Sequence, residues 1–297
     1  MSCAVIFGAS GQDGHYLSQL LAESGVDCIG VARRDGPWLR ADVADYGAVK
    51  SIVEKYQPAY IFHLAAESTT RHDALFANHA AIATGTINIL ECVRLHAPTA
   101  RVFIAGSAMQ FVNNGTPINE LTPFEARSPY AIARIQATYA ARYYRNVFGL
   151  ATYVGFFFNH DSPLRSERHV NQKIVAAVAR IAAGSTEKLE LGDIGVQKEF
   201  AFAGDSMRAI WALINNDQIS EAVIGTGEAH SIAEWVEYCF NAKNLLWRDH
   251  VVLRQTYQPE YSLLVSDPSS IMSLGWAPEK NFTALADLML HSFEKAV

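Results

Sequence analysis

Through its first 158 residues the chain switches between two patterns. Short β-rich apolar runs, AVIFG (4–8), DCIGVAR (27–33), AYIFHLAA (59–66), ARVFIAGS (100–107) and LATYVGFFF (150–158), alternate with longer stretches of helical spacing. Those stretches are HYLSQLLAESG (15–25), ADYGAVKSIVEKY (44–56), AAIATGTINILECVRLH (80–96) and SPYAIARIQATYAARYYRNVFG (128–149). In the first, Tyr16, Leu17, Leu20 and Leu21 share a face and Gly25 ends the helix. Strands that alternate with helices are parallel, because each helix returns the chain to the start of the next strand. Right-handed crossovers then cover both faces of the sheet. The expected fold class is α/β, a doubly wound parallel sheet.

This pattern predicts a dinucleotide-binding part over residues 1–160. Residues 161–297 are expected to bind mainly substrate and to return some strands to the main sheet. Helix-like stretches there are 171–184, 231–243 and 282–296, and no internal repeat or long linker separates the two parts.

Gly8, Gly11 and Gly14 form a GxxGxxG spacing between the first strand and the first helix. Without side chains there, the backbone can turn sharply and approach a diphosphate, and the N–H groups opening the helix face the anion. Gln12 and Asp13 lie inside that turn and belong to the expected cofactor site. The second strand ends in Arg33 and Arg34 where an acid would favour NAD. Guanidinium groups suit a 2′-phosphate, so NADP(H) is the expected cofactor, with NAD the alternative. Asp42 and Val43 follow a short third strand and would meet the adenine. Leu64, Ala65 and Ala66, at the end of the run 59–66, would line the dinucleotide's path.

Ser107 ends the run 100–107, Tyr130 opens the helix 128–149, and Arg134 lies one turn along it. Residues i and i+4 share a helix face, so Tyr130 and Arg134 point the same way. A tyrosine exchanges a proton with a sugar alcohol only when its pKa is brought down toward the working pH, and a nearby cation does this. A serine hydroxyl at the neighbouring strand end can bond the same oxygen.

Several stretches, in order, resemble the extended short-chain dehydrogenase/reductases, in the branch of GDP-mannose 4,6-dehydratases and GDP-6-deoxy-4-keto-sugar reductases. They are GASGQDGHYLSQLL, TPFEARSPYAIAR, FFFNHDSPLR with VNQKI, LGDIGVQKEFAFAGDSMRAIW, GTGEAHSIAEWVE and SDPSSIMSLGWAP. The resemblance implies a Rossmann domain, bound NADP(H) and a nucleotide-diphosphate sugar, GDP-linked. It implies Tyr130 as acid/base, Ser107 as its hydroxyl partner and Asn159 as a phosphate contact. Lys173 and Lys198 lie where the family contacts the diphosphate, with Lys198 in place of an arginine. It also implies a homodimer built on the helices 80–96 and 128–149.

Three departures shape the expected reaction. Arg134 stands for the family's lysine; it keeps the charge on a larger planar group. Met109 stands for the glutamate that takes the C5 proton in a dehydratase, and a thioether cannot accept it. Glu120 and Glu125 are the acids nearby in sequence. The segment 33–45 is also shorter than the dehydratase loop. The leading expectation is therefore an oxidoreductase that reduces a GDP-4-keto-6-deoxy-sugar, with Met109 and Glu67 among the substrate contacts. Alternatives are a 4,6-dehydratase, an epimerase, or a catalytically inactive nucleotide sensor or scaffold. Tyr257 aligns with a family arginine for the nucleotide diphosphate, and nearby Arg254 is the expected substitute. His63 reads as a packed polar residue, and Tyr143 with Tyr144 as helix packing.

A formal net charge of −6 gives no reason to expect a nucleic-acid or membrane partner. The four cysteines show no CxxC pair and the ten histidines no metal-ligand spacing, so reduced thiols, no metal and a cytoplasmic location are expected.

Overall fold

A computed structural model describes residues 2–254 and 258–294. Strand β1 (Cys3–Phe7) leads through the glycine turn into α1 (Gln12–Glu23), and β2 (Asp27–Ala32) into the short β3 (Leu39–Arg40). Helix α2 (Tyr46–Tyr56) starts at Asp45, whose carboxylate accepts the Ala48 N–H at 3.2 Å. After β4 (Tyr60–His63) come α3 (Leu75–Asn78), a π-helical stretch His79–Thr84 and α4 (Gly85–His96). No break separates these three, since the linking residues all keep right-handed helical angles. The expected helix 80–96 thus begins at residue 75.

Strand β5 (Arg101–Ser107) is followed by α5 (Pro129–Phe148) and β6 (Thr152–Phe157). Helix α5 is opened by the Ser128 hydroxyl, which accepts the Ala131 N–H at 3.1 Å, with Pro129 in its first turn where a missing N–H costs nothing. The later part contributes β7 (His160–Asp161), α6 (Val170–Ala182), β8 (Leu189–Leu191), β9 (Gln197–Lys198), β10 (Ala201–Phe202) and α7 (Ala203–Ile214). Then follow β11 (Glu221–Ile224), β12 (His230–Ser231), α8 (Ile232–Asn241), β13 (Val251–Leu253), β14 (Leu263–Leu264), α9 (Ser269–Met272) and α10 (Phe282–Glu294).

The main sheet has seven strands in the order β11-β6-β5-β4-β1-β2-β3, and every pairing is parallel. Its outermost strand beyond β6 therefore comes from residues 221–224. Ile52, Ile89, Val93 and Ala137 pack one face, under α2, α4 and α5. Leu17, Leu21, Met207 and Ile210 pack the other, under α1 and α7. A third cluster, centred on Trp235, Phe240, Leu285 and Met289, joins α6, α8 and α10. Each fully buried side chain of this size contributes roughly 1.5–3 kcal/mol, so both sheet faces are firmly held.

Glu199 is completely buried and ties together three segments of the later part. Its carboxylate accepts from the Ser266 N–H and hydroxyl, each at 2.6 Å, and from the Thr226 N–H at 2.5 Å. Three short sheets complete the structure: β7 with β10, β12-β9-β14, and β8 with β13. Of the tyrosine pair, Tyr144 is buried and donates to Glu91, whereas Tyr143 is 53% exposed; the helix turns it outward.

Candidate active site

Parallel strands end on the same side, so the loops after β1, β2, β4, β5 and β6 converge at one edge of the sheet. The first of them is shaped by close approach. A Cβ on Gly8, at φ +103°, would lie 2.7 Å from the Ala65 backbone nitrogen. One on Gly14 would lie 2.6 Å from Ala9 Cα. Gly14 thus seats α1 against the turn from beneath, while Gly8 and Gly11 face a cleft of about 250 Å³.

That cleft gathers nearly all of the expected cofactor residues. Gln12 and Asp13 line it at the start of α1, Arg33 and Arg34 at the end of β2, and Asp42 and Val43 after β3. Leu64, Ala65 and Ala66 form its floor after β4. One Arg33 nitrogen lies 4.0 Å from the Glu67 carboxylate. Asp42 accepts the Ala44 N–H at 3.0 Å, which fixes its turn. The bare glycine backbone and the paired arginines fit a dinucleotide with a 2′-phosphate.

A larger cavity of about 1130 Å³ continues from this cleft, and Asp13, Leu64, Glu67 and Ser68 line both. Ser107, Met109, Tyr130 and Arg134 stand together on its wall. The chain around Ser107 is held by the Gln110 side chain, which accepts the Ser107 N–H at 2.9 Å and donates to Thr138 at 3.1 Å. The Ser107 hydroxyl oxygen accepts the Met109 N–H at 3.2 Å, which leaves its own proton free to be donated into the cavity.

Arg134 is 4% exposed. Its guanidinium donates to the Ala105 carbonyl on β5 and lies 5.1 Å from the Tyr130 ring centroid. Its Nε is buried without a hydrogen-bond partner, as is Oδ1 of Asn159 on the same cavity wall. Buried polar atoms are ordinarily paired, so the Arg134 N–H suits an oxygen of a bound ligand and the Asn159 carbonyl oxygen suits a ligand hydroxyl. His63, fully buried behind them, has its pKa lowered to about 4 by burial and by Arg134, and so stays a neutral packed residue.

The far wall is cationic. Lys198 on β9 is 6% exposed; burial lowers its pKa against the opposing pull of Asp161. Arg165 bridges to Asp161 at 3.3 Å, and Arg165, Arg168 and His169 line both the cleft and the cavity. His160 and these three were not among the residues expected from the sequence. His160 and Arg165 lie in the stretch FFFNHDSPLR, and the dense charge of LRSERH (164–169) marks Arg165, Arg168 and His169.

Two expected substrate contacts lie elsewhere. Lys173 donates to the Glu190 carbonyl at 2.5 Å, and Arg254 pairs with the Glu190 carboxylate. Both are drawn to the β8 edge and neither lines the cavity, because Glu190 offers an acceptor to each. Tyr257 lies outside the described residues. Glu120 accepts from the Val223 N–H and the Ser270 hydroxyl, and Glu125 pairs with Arg127 at 2.6 Å. Neither lines the cavity beside Met109.

A glycine turn, a Ser–Tyr pair and a basic residue one turn on, at the carboxyl edge of a parallel sheet, define an extended short-chain dehydrogenase/reductase. The family model described as GDP-mannose 4,6 dehydratase matches residues 5–289. The chain belongs to that family. It is 31% identical to GDP-mannose 4,6 dehydratase 2 of Arabidopsis thaliana over 318 aligned positions, covering 97% of this chain and 85% of the relative. Among solved structures it resembles RMD from Pseudomonas aeruginosa complexed with NADPH, with a TM-score of 0.88, 20% identity and full coverage of both chains. It also resembles a Thermus thermophilus UDP-glucose 4-epimerase complexed with NAD, with a TM-score of 0.84, 20% identity and coverage of 99% and 100%. Those two likenesses concern the fold.

Proposed function

We propose that the chain is an NADP(H)-dependent enzyme acting on a GDP-linked sugar, with proton and hydride exchange at one sugar carbon. The observation that carries this is the grouping of Ser107, Tyr130 and Arg134 on one wall of a cavity continuous with the glycine cleft. The cleft residues and Arg134 would hold the dinucleotide, which when bound would supply or take the hydride. Tyr130 holds or moves the proton of the sugar hydroxyl, Ser107 donates a hydrogen bond to the same oxygen, and Arg134 supplies fixed positive charge beside the ring. Asn159 and the cations Arg165, Arg168 and Lys198 offer the partners a diphosphate needs.

Among reactions of this class, 4,6-dehydration is the one supported by the family match over 5–289 and by the names of the curated relatives. A specific observation favours a second reading, reduction of a 4-keto sugar. Dehydration needs an acceptor for the C5 proton, and Met109 stands on the wall beside Ser107 with a thioether. Five carboxylates line the cavity and each has a partner: Asp13 faces His160, Glu67 faces Arg33, Asp73 faces Arg71, Asp161 faces Arg165, and Glu260 accepts the Thr70 hydroxyl.

One experiment separates these readings. The protein is incubated with GDP-mannose and NADP, and separately with a GDP-4-keto-6-deoxy-sugar and NADPH. Loss of water from the first without net use of cofactor identifies a dehydratase. Consumption of NADPH with the second identifies a reductase. Tight dinucleotide binding with no turnover of either identifies a sensor and refutes the catalytic reading.

A further inference from the structure

Asp13 presents a difficulty for the reading just given, on which this inference rests. It is the second residue of α1, at the N-terminus that faces the cleft. A carboxylate there favours the helix dipole but repels the diphosphate that the same N–H groups would bind. The fold answers with a residue 147 positions away. His160 Nε2 lies 3.0 Å from Asp13 Oδ1, and His160 Nδ1 lies 2.8 Å from the Phe158 carbonyl. Both ring nitrogens face acceptors, and only the doubly protonated ring donates to both. The side chains are 11% and 24% exposed. Next to them, the Gln12 side chain donates to the His160 carbonyl at 3.3 Å and accepts from the Ser162 hydroxyl at 2.9 Å. The glycine turn is thereby clasped to β7 and the residue after it.

We propose that His160 is a positioning residue for the cofactor: as an imidazolium it masks the Asp13 charge, so that a dinucleotide diphosphate can settle on the N-terminus of α1. The charged groups facing the ring are Asp13 from α1 and Arg165 from the loop after β7. Burial is the largest single influence and acts to lower the His160 pKa, as does Arg165, but the Asp13 carboxylate and the Phe158 carbonyl together carry the net direction upward. Burial likewise acts to raise the Asp13 pKa, and His160 reverses it. The mask is therefore present at low pH and is lost as pH rises through the raised histidine value. Cofactor affinity falls with it.

The test is NADPH binding, followed by its fluorescence from pH 6.5 to 9.5, with no turnover required. The wild-type affinity is expected to weaken across this range. His160→Asn binds about 10- to 100-fold more weakly at pH 7, the size of one unmasked charge at close range, and without that pH dependence. Asp13→Asn needs no mask, so it binds at least as tightly as wild type at pH 7 and its profile is flat. The Asp13→Asn/His160→Asn double variant regains the affinity that His160→Asn lost. The proposal is overturned if His160→Asn matches wild type throughout, or if the double variant stays as weak as His160→Asn. It is equally overturned if Asp13→Asn alone loses tenfold or more, since Asp13 would then be a direct ligand. Should the wild type bind neither NADPH nor NADH, the functional reading itself fails and this inference falls with it. A wild type that binds while the variants behave otherwise refutes the inference alone.

Discussion

The Arg134 guanidinium is tied to the Ala105 carbonyl of β5 while it faces the Tyr130 ring at 5.1 Å. One side chain therefore fixes the start of α5 to the sheet edge that carries Ser107. A lysine could place a charge near the ring, but it lacks the planar fork that serves strand and ring together. Arg134→Met is expected to lower turnover and also weaken NADPH binding. Tyr130→Phe should lower turnover by about 10³-fold, within the usual range for loss of an acid/base group, and leave NADPH affinity within about threefold, a difference under 1 kcal/mol. Steady-state kinetics beside a fluorescence titration reads both.

Arg33 and Arg34 line the cleft at the end of β2. Replacing both with alanine should weaken NADPH binding about 10- to 100-fold, the scale of one or two lost charge-assisted contacts, and leave NADH little changed. Dissociation constants for the two dinucleotides, measured side by side, check this. Equal losses for both would mean that the pair does not read the 2′-phosphate.

Lys198 is buried on the cationic wall, and burial has lowered its pKa. Its charge is present at low pH and is lost as pH rises through a value below that of an ordinary lysine. GDP affinity should decline across that range, and Lys198→Met should flatten the decline and weaken GDP about tenfold, near 1.4 kcal/mol. Isothermal titration with GDP at several pH values tests both points.

Glu199 gathers backbone and hydroxyl donors from two separate turns with no exposed surface of its own. Glu199→Ala would leave those donors unpaired, at a cost of roughly 3 kcal/mol. Urea unfolding should show a lower midpoint with the slope unchanged. A shift smaller than about 1 kcal/mol would contradict this account.

Helix α5 exposes Ile132, Tyr139, Tyr143, Val147 and, at its end, Phe148, while α4 exposes Ile87 and Leu95. Ile132, Tyr139, Tyr143 and Val147 fall along one side, at the spacing of a helix stripe. A second copy of the chain is the occupant expected for this face. Sedimentation should give a dimer, and Tyr143→Arg should shift it toward monomer with the far-UV circular dichroism unchanged.

Much of the sheet edge could be read from the sequence because its determinants are local. Gly8, Gly11 and Gly14 lie within seven residues, and Tyr130 and Arg134 within one helical turn. Ser107 is marked by the strand that it ends. What could not be read is side-chain direction settled by distant partners. Nothing near Lys173 or Arg254 announces Glu190, which draws both to the β8 edge. Nothing near Asp13 announces His160. The helix before residue 80 is not legible in the sequence, because LFANH carries no strong apolar period and a π-helical stretch follows it.

The strand next to β6 in the main sheet is β11, residues 221–224. A ribosome making this protein must therefore release about three-quarters of the chain before the sheet can close, allowing ~30 further residues for the exit tunnel, near 100 Å at the span of an extended chain. Until then β6, buried along its whole length in the finished fold, offers a bare margin to its surroundings. Cutting the gene after residue 160 to obtain a free-standing nucleotide domain would make that exposed state permanent, and aggregation on expression is the expected result.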